Sequence, residues 1–170
     1  MKHSALFTSL FIETRGRVYL LWLVLTTTGF IATHFHQYRT INPVWLVISI
    51  IGLVYMYKVM PMRVGQMKRI FYAWLIPITV GMIISGLVFV VSDLQRGIGY
   101  LGTIWLALMA IGYVWNGLVD RPMFWYVFAA AINVAAAWAT FFYEPYIINQ
   151  YLVAAVISFW SMANLWILRT

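Results

Sequence analysis

A chain of 170 residues that is 64% hydrophobic and 9% charged carries more apolar surface than a soluble domain of its size buries, because small domains leave much of their area in water. Its mean hydropathy of +0.88 points to a lipid bilayer as its surroundings, and the lack of cysteine excludes disulfides, thiol catalysis and iron–sulfur ligation. The formal charge of +7 is scattered over short polar segments, which argues for anionic lipid headgroups and against nucleic acid as its partner.

In chain order, residues 4–14 place Leu6, Phe7, Leu10 and Phe11 on one helical face, and predict a short amphipathic helix lying at the membrane interface. Thr8, Ser9, Glu13, Arg15 and Arg17 interrupt the apolar residues there, unlike the continuous core of a cleavable signal peptide. Six apolar runs follow, at 18–34, 42–60, 70–92, 98–119, 122–143 and 146–168. Each is close to the roughly 20 residues that a helix needs to cross hydrocarbon. They are too long for strands and lack a period-two alternation, and backbone in hydrocarbon must satisfy its own hydrogen bonds. The expected fold is therefore all-α: one polytopic membrane domain over 1–170, with six transmembrane helices joined by short loops.

The punctuation agrees. Asn42-Pro43, Arg121-Pro122 and Glu144-Pro145 put proline at or near a first helical turn, where its missing N–H costs nothing. Pro61 closes the second span, and Gly97 and Gly99 loosen the chain before the fourth. Pro77 lies inside the third span and predicts a kink there. In the fifth span Ala129, Asn133 and Ala137 recur every four residues, a small-residue face that lets another helix approach closely, within the chain or in a homo-oligomer. Gly81 and Ser85 repeat the spacing in the third. Trp22-Leu23-Val24-Leu25 and Trp105-Leu106-Ala107-Leu108 form an internal echo, which suggests two inverted three-helix halves.

Chemistry-bearing residues are few. Glu13, Asp93, Asp120 and Glu144 fall at span ends or outside them, and no Lys or Arg falls at a span centre, so the usual markers of proton relays and ion coupling are missing. Asp120 beside Arg121 reads as a solvated turn pair. His34 and His36 are two apart on a helix and face different ways, so no metal or haem site is expected. No Ser-His-Asp set, phosphate loop or paired intramembrane carboxylates appears, and neither catalysis nor a cofactor is expected.

Neutral polar residues supply the candidate site. With each span centred in the bilayer, Thr26, Thr27, Ser49, Asn133 and Ser158 fall near the midplane, and Asn116, Ser161 and Asn164 form a second layer. Thr26, Ser49, Asn133, Ser158, Asn116 and Asn164 are the ligand or pathway candidates, against a purely structural role as hydrogen bonds between helices. Aromatic residues near span ends, Trp22, Trp45, Trp115, Trp125, Tyr126, Tyr151 and Trp166 among them, read as an interfacial belt. Trp105, Trp138 and Trp160 lie deeper and read as packing or a pocket wall.

Gly117-Leu118 with Arg121-Pro122, Trp125-Tyr126 and Ala131-Ile132-Asn133 resembles a stretch of the six-span urea and amide channels. The resemblance covers about a tenth of the chain, and the N-terminus and the number of helices after it depart from that family. What it implies is a channel for a neutral solute. Two functional classes follow. One is a non-catalytic membrane bundle that acts as a sensor or accessory subunit through a bound apolar ligand, lipid or membrane partner. The other is a channel or facilitator for a small neutral molecule.

Lysine and arginine set the expected orientation. With both termini cytoplasmic, Lys2, Arg15, Arg17, Lys58, Arg63, Lys68, Arg69, Arg121 and Arg169 lie inside, and only Arg39 and Arg96 outside. Single cysteines at Gln66 and Gln95 then label oppositely with an impermeant thiol reagent, Gln95 from outside. External labelling at Gln66 alone inverts the topology.

Overall fold

The structure, a computed structural model, describes residues 2–36, 41–91, 99–120 and 123–167, with side chains from residue 13 onward. Expectations that rest on Leu6, Phe7, Leu10 and Phe11, on Arg39, Asp93, Arg96 and Gly97, and on Arg121-Pro122 lie outside the described side chains. The helices are α1 (Lys2–Phe35), α2 (Ile41–Val59), α3 (Gly65–Val90), α4 (Leu101–Val119), α5 (Met123–Phe142), α6 (Glu144–Ile148) and α7 (Gln150–Ile167). Six of them are long and apolar enough to cross a membrane, and the protein is an all-α, multi-pass integral membrane protein.

The observed boundaries differ from the expected ones where the chain is amphipathic. The stretch at 4–14 is helical but runs without a break into the first span, so α1 is a single helix of 34 residues. Among the described side chains, the part of α1 long and apolar enough to cross a membrane is Glu13–Phe35, which includes Arg15. Residues 146–148 belong to the separate turn of α6, started by Pro145 in its first turn, and the last span begins only at Gln150. α3 continues through the buried Pro77.

Lipid tails are as apolar as leucine, so burial from water does not draw these helices together; close packing and interhelical hydrogen bonds do. α1 packs on α2 and most extensively on α7, and α3 packs on α4, which in turn lies along α5. The bundle is two antiparallel hairpins, α1–α2 and α3–α4, flanked by α5 and α7. The Ala129/Asn133/Ala137 face of α5 is buried within the chain, where the Asn133 amide donates to Ser161 Oγ of α7 at 3.1 Å. Outward faces carry Leu46, Val47, Ile83, Leu118 and Phe124, as a surface bathed in hydrocarbon requires. Helix ends are closed by side chains from neighbours. Gln150 Oε1 accepts from Gly102 N at 2.7 Å, its amide donates to Gly99 O, and the Gln66 amide donates to Val119 O at 3.0 Å, so each end of α4 has a backbone group bonded to a side chain of another helix.

Candidate functional site

The bundle centre is built by four tryptophans. Trp22 of α1 lies over Gly52 of α2, and Trp45 of α2 lies over Gly29 of α1. The second hairpin repeats the exchange: Trp74 of α3 lies over Gly112 of α4, and Trp105 of α4 over Gly81 of α3. Contact is so close that a Cβ at Gly52 or Gly81 would stand 2.5 Å from the ring, at Gly29 2.8 Å and at Gly112 2.9 Å. No residue but glycine admits these rings without displacement. Trp45 and Trp105 then stack across the hairpins, centroids 5.8 Å apart and planes at 17°.

One local pattern underlies all four positions. In each helix the glycine follows the tryptophan by seven residues, two helical turns along the same face. Four residues beyond the glycine stands Thr33 on α1, Met56 on α2, Ser85 on α3 or Asn116 on α4. Three of these residues accept the indole N–H from the partner helix: Trp45 Nε1 donates to Thr33 Oγ1 at 2.7 Å, Trp22 Nε1 to Met56 Sδ at 2.9 Å and Trp105 Nε1 to Ser85 Oγ at 3.2 Å. The fourth differs, since Asn116 donates to Gly112 O of its own helix at 2.7 Å. There Trp74 lays the opposite edge of its ring, Cζ3 and Cε3, on Gly112 and meets Tyr113 edge-on at 5.1 Å.

Between the rings lies a cavity of about 30 Å3. Its walls are the four tryptophans, the residue four places after each of them (Thr26, Ser49, Ile78 and Met109), and Phe30 with Met162. About 10–15 Å3 holds one water, so the space takes a guest of a few heavy atoms. No charged side chain lines it. Thr26 Oγ1 donates to Trp22 O at 2.7 Å and is committed to its own helix, whereas Ser49 makes no hydrogen bond among the described residues. The cavity thus offers indole faces, two methionine side chains and one uncommitted hydroxyl.

Of the sequence-derived candidates, Thr26 and Ser49 line this cavity together. Ser158 touches it indirectly, donating to Sδ of the lining Met109 at 3.4 Å. Asn133 and Asn116 are fully buried outside it; each donates to its own helix, at Ala129 O and Gly112 O, and the Oδ1 of each has no partner among the described residues. Asn164 is half-buried and donates to Trp160 O at 2.8 Å. The two expected polar layers interleave, because Asn133 meets Ser161 rather than Ser49 or Thr26. Trp22 and Trp45 are not belt residues but buried cavity walls, as is Trp74, and Tyr126 and Tyr151 are buried too. Of the three deep tryptophans Trp105 alone lines the cavity, while Trp138 is 65% exposed and faces outward. A signal for the site was present in the chain: the spacing of tryptophan and glycine, repeated four times.

A second buried polar cluster ties off one end of the bundle. Arg15 of α1 pairs with Asp120, the residue that ends α4, and both are 3% exposed. Tyr126 of α5 donates to the other carboxylate oxygen, Oδ2, at 2.7 Å, and the Tyr126 and Tyr19 hydroxyls are hydrogen-bonded to each other. Asp120 is therefore no solvated turn residue, and a charge pair sits inside the bundle end after all. α1, α4 and α5 meet on a single carboxylate.

Comparison with protein-family models, with curated proteins and with solved structures finds no match for this chain, so any functional reading rests on the site itself.

Removing one partner of a buried ion pair strands the other. Asp120→Ala is expected to cost about 3–5 kcal/mol of stability, while Arg15→Met with Asp120→Leu recovers most of the loss. Denaturant unfolding in mixed micelles measures both. An unchanged midpoint for Asp120→Ala contradicts the buried pair.

Proposed function

We propose that this integral membrane protein is a non-catalytic sensor or accessory subunit that works by holding a small, neutral, chiefly apolar guest in the tryptophan cage. The observation that carries this reading is the cavity itself. Four helices each contribute a tryptophan and the residue one turn later to a single space, and its walls hold no charged group. Such a lining favours a polarizable, uncharged molecule, and the methionines Met109 and Met162 adapt their shape to it. Because all four helices of both hairpins touch the guest, occupancy bears directly on how the hairpins pack. That is what a sensor requires: a ligand with different contact energy in two arrangements.

The channel reading is less well supported. A pathway needs polar groups along a continuous wet route, whereas Thr26, Asn116, Asn133 and Asn164 all donate back to their own helices.

Thermal unfolding under xenon pressure tests the proposal, since a guest that binds only the folded state stabilises it by about 1.4 kcal/mol at tenfold excess over Kd. Xenon is expected to raise the Tm of the parent protein and not that of Thr26→Leu, which fills the cavity. Urea flux into proteoliposomes is expected to match protein-free vesicles. A Tm indifferent to xenon, or urea flux above the vesicle background, overturns the reading.

A further inference from the structure

We propose that the cage is loaded sideways from the hydrocarbon, through the seam between α2 and α3, by a guest that concentrates in the bilayer; this rests on the guest-binding reading above. A groove of about 510 Å3 runs along that seam and is built by α2 and α3 alone. Leu46, Ile50 and Ile83 on its walls are exposed, so in a membrane it is open to lipid. Ser49 and Ile78 line the groove and the cage at once, so these two side chains are the partition between them.

The other flanks of the cage are closed more firmly. Within each hairpin the tryptophan–glycine contacts leave no gap for a Cβ. α7 supplies Met162 as a wall of the cage, and α5 lies along α4. The seam joins the two hairpins instead of lying within one, so it lacks the tryptophan–glycine exchange. α2 is also the least enveloped span, with 28% of its most apolar 18-residue stretch buried against 39–50% in the others, so it has the fewest neighbours to resist a small displacement. Ser49 makes no hydrogen bond among the described residues, so turning its side chain breaks none. A rotation of Ile78 and Ser49 opens the partition without disturbing a ring.

The chemistry of the route sets the class of guest. Groove and cage carry no charged side chain, and Asn42, Ser49 and Thr79 are the polar residues on the groove wall. A charged molecule would lose its hydration along this path with nothing to replace it. A neutral molecule of a few heavy atoms, soluble in hydrocarbon and able to take one hydrogen bond from Ser49, fits both the path and the endpoint.

Dibromomethane, a small bilayer-soluble heavy-atom quencher, separates the entry route from the binding site. The chain has nine tryptophans, so changing Trp115, Trp125, Trp138, Trp160 and Trp166 to phenylalanine leaves the cage rings as the only tryptophans, read by exciting at the red edge where tyrosine does not absorb. Gly86 lines the groove, and a Cβ there meets nothing within 4 Å, so Gly86→Leu fills the groove without touching the cage. In stopped-flow mixing with proteoliposomes, Gly86→Leu is expected to slow quenching by about tenfold and to leave its final extent unchanged. Ala107→Leu, in the separate groove beside α5, is expected to change neither. If the five-phenylalanine background does not fold, the slow phase of the full-tryptophan chain carries the same comparison, because lipid-facing rings quench within the mixing time. An unchanged rate in Gly86→Leu, or slowing by Ala107→Leu instead, overturns the lateral seam while guest binding stands. Absence of quenching in the parent overturns guest binding and the seam together.

Discussion

The seating of an indole ring on a glycine of the neighbouring helix is the contact on which the rest of this bundle depends. In water, burial alone would hold six apolar helices together; in a bilayer it does not, and attraction has to come from atoms in close contact. A glycine lets a helix present bare backbone, and a tryptophan presents the largest flat surface available to cover it. Repeating that contact reciprocally in each hairpin fixes both the separation and the register of α1 with α2 and of α3 with α4. The stacked Trp45 and Trp105 then set one hairpin against the other. The cavity is what remains when four rings that cannot interpenetrate meet around one axis. Its position one turn from each tryptophan follows from the same geometry.

Much of the architecture was legible in the chain, because bilayer thickness acts on each segment separately. Span count and most boundaries follow from local hydropathy and from Pro43, Pro61 and Pro145. The exceptions are instructive. Residues 4–14 look like a separate interfacial helix, yet Gly16 does not interrupt α1. Trp22 and Trp45 stand near span ends by sequence position, which reads as a belt, but ring orientation is decided by the glycine across the interface. Two of the four copies of the pattern, at Trp22-Leu23 and Trp105-Leu106, were visible as an echo between halves. The tryptophan–glycine pattern itself recurs helix by helix, with Trp45 and Trp74 supplying the other copies. The pairing of Arg15 with Asp120 joins positions 105 apart and has no local signature.

The two buried polar features divide the labour. Arg15, Asp120, Tyr126 and Tyr19 anchor one end, where a carboxylate with a guanidinium and a hydroxyl on its two oxygens is stable only if α1, α4 and α5 stay in place. The cage lies deeper and is uncharged, and its wall is held by three indole N–H bonds, the Thr26 bond to its own helix and the Ser158 contact with Met109. A rigid end and an adaptable middle suit the proposed role, in which a guest changes how the hairpins pack. The sparsely covered α2 is the element with most freedom to report it.

A double-mutant cycle on Gly81 and Trp105 tests the ring-on-glycine claim most directly. Alanine is intrinsically better than glycine inside a helix, by about 0.8–1 kcal/mol, so a loss on Gly81→Ala must come from the ring above it. The expected result is a change of sign. Gly81→Ala destabilises the parent bundle by about 1–3 kcal/mol through overpacking, and stabilises or leaves unchanged a Trp105→Leu background in which the ring is gone. Equal effects of Gly81→Ala in both backgrounds would contradict the claim that indole on glycine organises the fold.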